Sequence, residues 1–213
     1  GGNYLIKNRN KIENTKLTDI RIDKTKDYVY FTDSKTVSEE LDLVYNTIHI
    51  NLDSEDAKNL ENELNNEMNT AYDTIKKTSE VTFDKKNIVY ELDDDNDIYS
   101  ADYLKYETLE NDDYLTIGVI KGHVNITSDI DNNTLKYYTF SKKDGHIMNM
   151  EEIKNAGKIK DSDIENTKKT YLEDKDDTNI KSYELYIDKY GNIRMNMLVN
   201  SGDITYNDTV KIN

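Results

Sequence analysis

Between Asn46 and Lys77 the chain reads NTIHINLDSEDAKNLENELNNEMNTAYDTIKK, an alternating stretch that runs straight into an amphipathic one. Ile48, Ile50 and Leu52 fall on one side of the first part, as in a strand with one buried face. Asp53 or Ser54 then offers a side-chain oxygen to the free N–H groups of a helix start, and Glu55 and Asp56 suit its positive end. Ala57, Leu60, Leu64, Met68, Ala71 and Ile75 recur at three- and four-residue steps, with Glu, Asn and Lys on the other faces. This spacing predicts a helix of about 22 residues, roughly 33 Å long at the standard rise. Such a helix can lie across a whole sheet, and its stripe reads as core packing. A helix that docks in a partner's groove is the alternative.

The remaining segments are mostly strand-like. Residues 1–16 are polar and aperiodic and read as a flexible tail or linker, and Lys16 to Asp23 alternates weakly, as an edge strand would. Asp27 to Thr32 is a stronger strand, and Val37 to Tyr45 reads as a connector. Asn87 to Leu92 is a short strand before an acidic loop, Asp93 to Asp97. Ala101 to Leu109 and Tyr114 to Thr127 form a hairpin, where Gly118 and Gly122 signal either a bulge or a close backbone approach. A turn at Asp129 to Asn133 leads into a strand at Leu135 to Phe140, closed by Lys143-Asp144-Gly145-His146. Met150 to Ala156 reads as a helix ending at Gly157. Asp161 to Asp174 reads as a second helix, with Ile164, Lys168, Tyr171 and Leu172 as a weak stripe. Residues 173–180 read as a charged loop before a final meander: Tyr183 to Asp188, Ile193 to Val199 and Ile204 to Ile212.

The expected fold is α+β: antiparallel sheet with one long helix packed across it, and short C-terminal helices before a β-meander. Residues 17–213 form the domain, with 17–85 and 86–213 as the division if it splits into two subdomains. Hydrophobic residues are only 35% of the chain, and mean hydropathy is −0.89. Both lean toward disorder. Seventeen Tyr argue for a core, because the ring has a large apolar body and high strand propensity. Without Pro, turns must rely on Gly, Asn and Asp.

The absence of Cys excludes disulfides, thiolate nucleophiles and Cys-ligated metals. No apolar run approaches the roughly 18 residues of a membrane span, and no signal peptide is present. The opening Gly1-Gly2 looks like a cloning scar, so a native anchor is expected upstream. A net charge of −15 argues against nucleic acid and anionic membranes. It suits a cationic partner, or it simply keeps the domain in solution.

The chemistry-bearing residues form no known constellation. His49, His123 and His146 have no metal-ligand spacing, His49 falls on the strand face opposite Ile48 and Ile50, and His146 is expected to be exposed. Asp93, Asp95 and Asp97 alternate as in a calcium loop, but Ile98 and Leu104 stand where an EF-hand needs Gly and Glu. No nucleophile elbow, phosphate loop or dinucleotide fingerprint appears. These readings lead to an expectation of no catalysis, no cofactor and no metal.

Four segments together resemble a known family: Asp27 to Tyr30; Ile48 to Lys58 with its helix; Tyr137 to His146 followed by Met150-Glu151-Glu152-Ile153; and the meander from Tyr183 to Val210. They are similar to the extracytoplasmic domains of Gram-positive surface proteins. Such domains occur in RsiV-type lysozyme-sensing anti-sigma factors and in the non-catalytic part of PdaC-type peptidoglycan deacetylases. The resemblance implies an extracellular sensor domain attached to the cell surface, with lysozyme or another cationic wall-active protein as ligand. It also implies an alternative, a peptidoglycan-binding module of a surface enzyme or lipoprotein. The family's glycine-rich turn after the central hairpin is absent, so no contact residue carries over. A cationic protein would instead be met by acidic and Tyr-bearing loops. The candidates are Asp93, Asp94, Asp95, Asp97, Tyr99, Asp129, Asp131 and Tyr137.

Overall fold

A computed structural model of the chain describes residues 27–39, 42–84, 100–125 and 130–212. The expected tail, the edge strand at 16–23, the strand at 87–92 and the acidic loop at 93–97 lie outside the described residues. Within them the protein is α+β, with three antiparallel sheets and three helices, and it ends in a β-meander. The first sheet pairs β1 (Val29–Ser38) with β2 (Leu43–Ile50), and helix α1 (Glu55–Asp84) follows. The second sheet is β3 (Ser100–Glu110), β4 (Tyr114–Asn125) and β5 (Ile130–Ser141). Helices α2 (Met150–Gly157) and α3 (Asp161–Leu172) precede the third, made of β6 (Thr178–Ile187), β7 (Ile193–Ser201) and β8 (Ile204–Lys211).

The hairpin β1–β2 is longer than the alternation suggested. Val37 and Ser38 close β1 and Leu43 to Tyr45 open β2, so most of the described residues of the expected connector at 37–45 are strand. Asp42 takes a left-handed conformation, φ 54°, and its N–H donates to the Glu39 carbonyl. Asp tolerates that conformation, which lets the chain reverse tightly and both strands extend.

Helix α1 is capped by Ser54, whose Oγ accepts the Ala57 N–H at 3.1 Å. Ala57, Leu60, Leu64, Met68, Ala71 and Ile75 are all buried, and each large one contributes about 1.5–3 kcal/mol. The helix passes the predicted end near Lys77 and reaches Asp84. Nothing between them stops it, since the stretch contains neither Gly nor Pro. Two α1 side chains also close the outer edge of β2. Asn65 accepts the Ile48 N–H at 2.8 Å and donates to the Ile48 carbonyl at 2.8 Å. Glu61 Oε1 accepts the Ile50 N–H at 2.7 Å. A free strand edge is a template for association, and here a helix supplies the missing partners.

The register of β3, β4 and β5 has no shift, so Gly118 and Gly122 mark no bulge. They mark close approach instead. A Cβ at Gly122 would sit 2.2 Å from Tyr103 Cζ, and one at Gly118 would sit 2.7 Å from Tyr137 Cε1. Gly122→Ala is therefore expected to lower stability by about 1–3 kcal/mol in urea titrations. Combining it with Tyr103→Ala should cost less than the two changes summed, because the clash is gone. A strictly additive double variant would show that the ring approach is not the cause.

Two expected loops are strand. Asp131, Asn132 and Asn133 belong to β5 rather than to a turn at 129–133. Their polarity is absorbed by Tyr103, whose hydroxyl donates to the buried Asp131 carboxylate and accepts from Asn133 Nδ2. Thr178 to Ile180 belong to β6 rather than to a loop at 173–180. Asp177 at φ 50° makes the turn, and the hydroxyls of Thr178 and Ser201 lie 2.9 Å apart across the new pair.

One hydrophobic core joins residues on both sides of position 85, from Val29 through α1 to Phe140, and it includes Tyr186. The core therefore does not divide at 85/86. A second core lies between the third sheet and helices α2 and α3, around Ile153, Ile164, Met195, Met197 and Val199. Helix α2 turns left-handed at Lys158, φ 54°, rather than at Gly157. Gly157 is needed for space, because a Cβ there would meet Ile193 Cγ1 at 2.2 Å.

The second and third sheets meet through side chains that replace a strand along the edge of β5. Asn207 Oδ1 accepts the Leu135 N–H at 3.0 Å, and Asn196 Nδ2 donates to the Leu135 carbonyl at 2.9 Å. Glu184 Oε2 accepts the Tyr137 N–H at 3.1 Å. Thr116 donates to the Ile187 carbonyl at 2.7 Å, and the rings of Tyr137 and Tyr186 stack 3.7 Å apart.

Candidate functional site

The chain has 43 acidic residues against 28 basic ones, so where the cations go decides where the field is strongest. Seven lysines of the described surface lie over tyrosine rings, 4.0 to 6.0 Å from the centroids. Their apolar stems cover the rings while the ammonium meets the π face. Five of them also pair with exposed carboxylates: Lys35 with Asp33, Lys105 with Asp42, Lys142 with Glu110, Lys168 with Glu165 and Lys175 with Asp174.

Projection is clearest after α3. Glu173, Asp174, Asp176 and Asp177 are exposed in one short turn. The turn's own cation, Lys175, folds back: its Nζ donates to the Tyr171 carbonyl at 2.7 Å and sits 4.1 Å from that ring. Lys175 also holds the Asp174 carboxyl below its ordinary range by hydrogen bonding and charge. The β7–β8 turn is pinned beside this one, because the Gly202 N–H donates to the Asp177 carbonyl at 3.1 Å. That brings exposed Asp203 to the same pole, next to Ile204, which is 44% exposed.

A second exposed apolar side chain is Tyr190, 77% exposed at the tip of the β6–β7 turn. Asp188 Oδ1 accepts the N–H groups of Tyr190 and Asn192, both at 2.9 Å, and so fixes the turn. Lys189 lies over the Tyr190 ring at 5.2 Å.

A groove of about 460 Å³ separates α1 from β3 and β4, with Ala71, Leu104 and Gly122 among its walls. Lys121 at its rim binds Glu67 Oε1 at 2.7 Å. Glu67 Oε2 and the Tyr106 hydroxyl are sealed from solvent without hydrogen-bond partners. A molecule in the groove would therefore meet mainly apolar wall and a neutralised ion pair.

The histidines are all paired with acids. His49 Nδ1 lies 2.6 Å from Glu61, with its ring 5.1 Å from Tyr30, and His123 Nδ1 lies 2.7 Å from Asp102. The His146 side chain is 38% exposed, in keeping with the sequence expectation, and carboxylates flank both of its ring nitrogens. Among the described residues, no three His, Asp or Glu side chains converge to hold a metal ion. Also among them, no helix is long and apolar enough to cross a membrane.

The sequence-predicted contact residues scatter. Asp93, Asp94, Asp95, Asp97, Tyr99 and Asp129 lie outside the described residues. Asp131 is buried beneath Tyr103, and Tyr137 is buried against Tyr186, so neither presents a loop side chain to a partner. Asp131 falls in the expected turn and Tyr137 in an expected strand, and both sit on the covered face of β5. The pole formed by Glu173 to Asp177 and Asp203 had a visible signal, the run EDKDD, but its meeting with the β7–β8 turn is tertiary. No protein-family model, curated protein or solved structure matches the chain.

Proposed function

We propose that this is a non-catalytic extracellular recognition domain of a cell-envelope protein, and that it binds a cationic protein of the lysozyme kind. The observation that carries the reading is the acidic pole. Four exposed carboxylates lie in one turn, and Asp203 lies beside an exposed Ile204 in the turn pinned to it, while Lys175 packs on Tyr171 and pairs with Asp174 alone of the four. Such a surface attracts a basic protein over distance through its charge and offers an apolar contact beside it. The resemblance to lysozyme-sensing anti-sigma factors supports the same ligand class, as does the net charge of −15. In this reading α1 is the one long helix laid across the first two sheets, a rigid mount for the rest.

Calorimetric titration of the chain with hen lysozyme, at low salt and at about 0.15 M, tests the proposal. Submicromolar binding that survives the higher salt is expected. A variant carrying Asp174→Asn, Asp176→Asn and Asp177→Asn should bind at least about tenfold more weakly, a loss near 1.4 kcal/mol. Binding that disappears at 0.15 M salt would sink the proposal, since exposed attraction without a fitted interface is screened there.

A further inference from the structure

His146 sits where three parts of the fold meet. It follows the turn after β5, its own carbonyl accepts the Ser141 N–H at 3.0 Å, and the next N–H, of Ile147, donates to Asp56 Oδ2 of α1 at 2.8 Å. The imidazole Nδ1 lies 2.5 Å from Asp144 Oδ1 on the turn, and Nε2 lies 2.5 Å from Glu152 Oε2 on α2. A neutral imidazole has a single N–H, so it can donate to one carboxylate only. Bonding both requires the imidazolium.

Glu152 has a second duty. Its Oε1 accepts the Asn149 N–H at 3.1 Å while Asn149 Oδ1 accepts the Glu152 N–H at 2.9 Å, a reciprocal cap on α2. The same carboxylate therefore joins the imidazolium to the helix start. The charged groups facing the ring and its segment are all acids: Asp144 from the turn, Glu152 from α2 and Asp56 from α1.

We propose that His146 is a proton-operated latch that fastens the turn after β5 to the first turn of α2, and so ties the first core to the second. With the proton bound, both nitrogens hold a carboxylate. With it lost, the single remaining N–H serves one carboxylate and the other faces a lone pair, so the bridge between the turn and the α2 cap is broken at one end or the other. Hydrogen bonds that the ring donates to Asp144 and then to Glu152 raise the imidazole's affinity for the proton above the ordinary histidine value. A raised folded-state value means the latch is fully closed below the unfolded-state value. Its contribution is lost as pH rises through the folded one.

Nuclear magnetic resonance titration of the His146 ring in the full chain tests this. The midpoint should lie above that of an unfolded histidine, and Asp144→Asn and Glu152→Gln should each lower it. Amide exchange at Ile153, corrected for its intrinsic pH dependence, should accelerate across the same interval in the parent and be flat in His146→Gln. A purely structural ring would change thermal stability on substitution without moving these titrations. An ordinary midpoint, indifferent to both acid variants, would overturn the latch. So would Ile153 protection that ignores pH in the parent chain.

Discussion

Asn196→Leu is expected to cost about 3–5 kcal/mol, because one substitution strips partners from three groups in a closed junction. Asn196 Nδ2 serves the Leu135 carbonyl and Glu184 Oε2 at 2.9 and 2.8 Å, and its Oδ1 accepts from Asn207 at 3.2 Å. Leucine fills similar space but satisfies none of them, and Asn196 and Asn207 are both buried. Urea unfolding should show the loss as a lower midpoint with an unchanged slope. The size should also depend on pH. Burial already pushes the Glu184 carboxyl up, and its bonds to Asn196 and the Tyr137 N–H pull it partly back. Without Asn196 it rises further. An acid raised in the folded state lowers stability as pH climbs from the ordinary carboxylate range through the raised value. The deficit should therefore be smaller in mild acid than at neutrality, and a pH-independent deficit would remove Glu184 from the explanation.

Asn65→Ala is expected to cost about 2–4 kcal/mol and to change how the chain associates. Asn65 satisfies both the N–H and the carbonyl of Ile48, whose side chain is buried, and alanine leaves both unpaired beneath α1. The outer edge of β2 then presents a free donor and acceptor to any extended chain. Sedimentation velocity at rising concentration should reveal assembly in the variant and a concentration-independent species in the parent. A monomeric variant of parental stability would show that the edge needs no such guard. Both changes act on the same device, a side-chain amide standing in for a neighbouring strand.

That device marks the limit of what the residues disclose in order. The α1 stripe from Ala57 to Ile75 was legible because helical periodicity is local, and the cap was narrowed to Asp53 or Ser54, of which Ser54 makes the bond. The β3–β4 hairpin and the final meander were legible too, because alternating runs stand next to one another in the sequence with Gly, Asn and Asp between them. Errors came where polar residues are structural. Asp131 and Asn133 looked like a turn because nothing local reveals that the Tyr103 hydroxyl consumes their hydrogen bonds. Asn65 falls on the polar side of the α1 stripe, and nothing local in the sequence marks Asn196 and Asn207 as buried. Tyr137 looked like a surface anchor, and only its stack with Tyr186, forty-nine positions later, shows it is buried. At the acidic pole the charge was visible in EDKDD, but the arrival of Asp203 and Ile204 beside it was not.

The order of the sheets has a consequence for how the chain reaches this structure. Each sheet contains only strands adjacent in sequence, so β1–β2, β3–β4–β5 and β6–β7–β8 each close across short spans. Loop-closure entropy is then modest within each sheet, and such local topologies form quickly compared with folds that thread distant strands together. Contacts of long span join these units: Asn207 to Leu135 and Thr116 to Ile187 between the second and third sheets, Tyr45 to Asp102 between the first and second, and Asp56 of α1 to Ile147 after β5. Three hairpin units can therefore form on their own while the chain is still growing or crossing a barrier. The second and third sheets dock largely through amides and hydroxyls with one tyrosine stack, whereas the first and second share an apolar core. The first sheet and α1 therefore carry the surface that must be covered soonest.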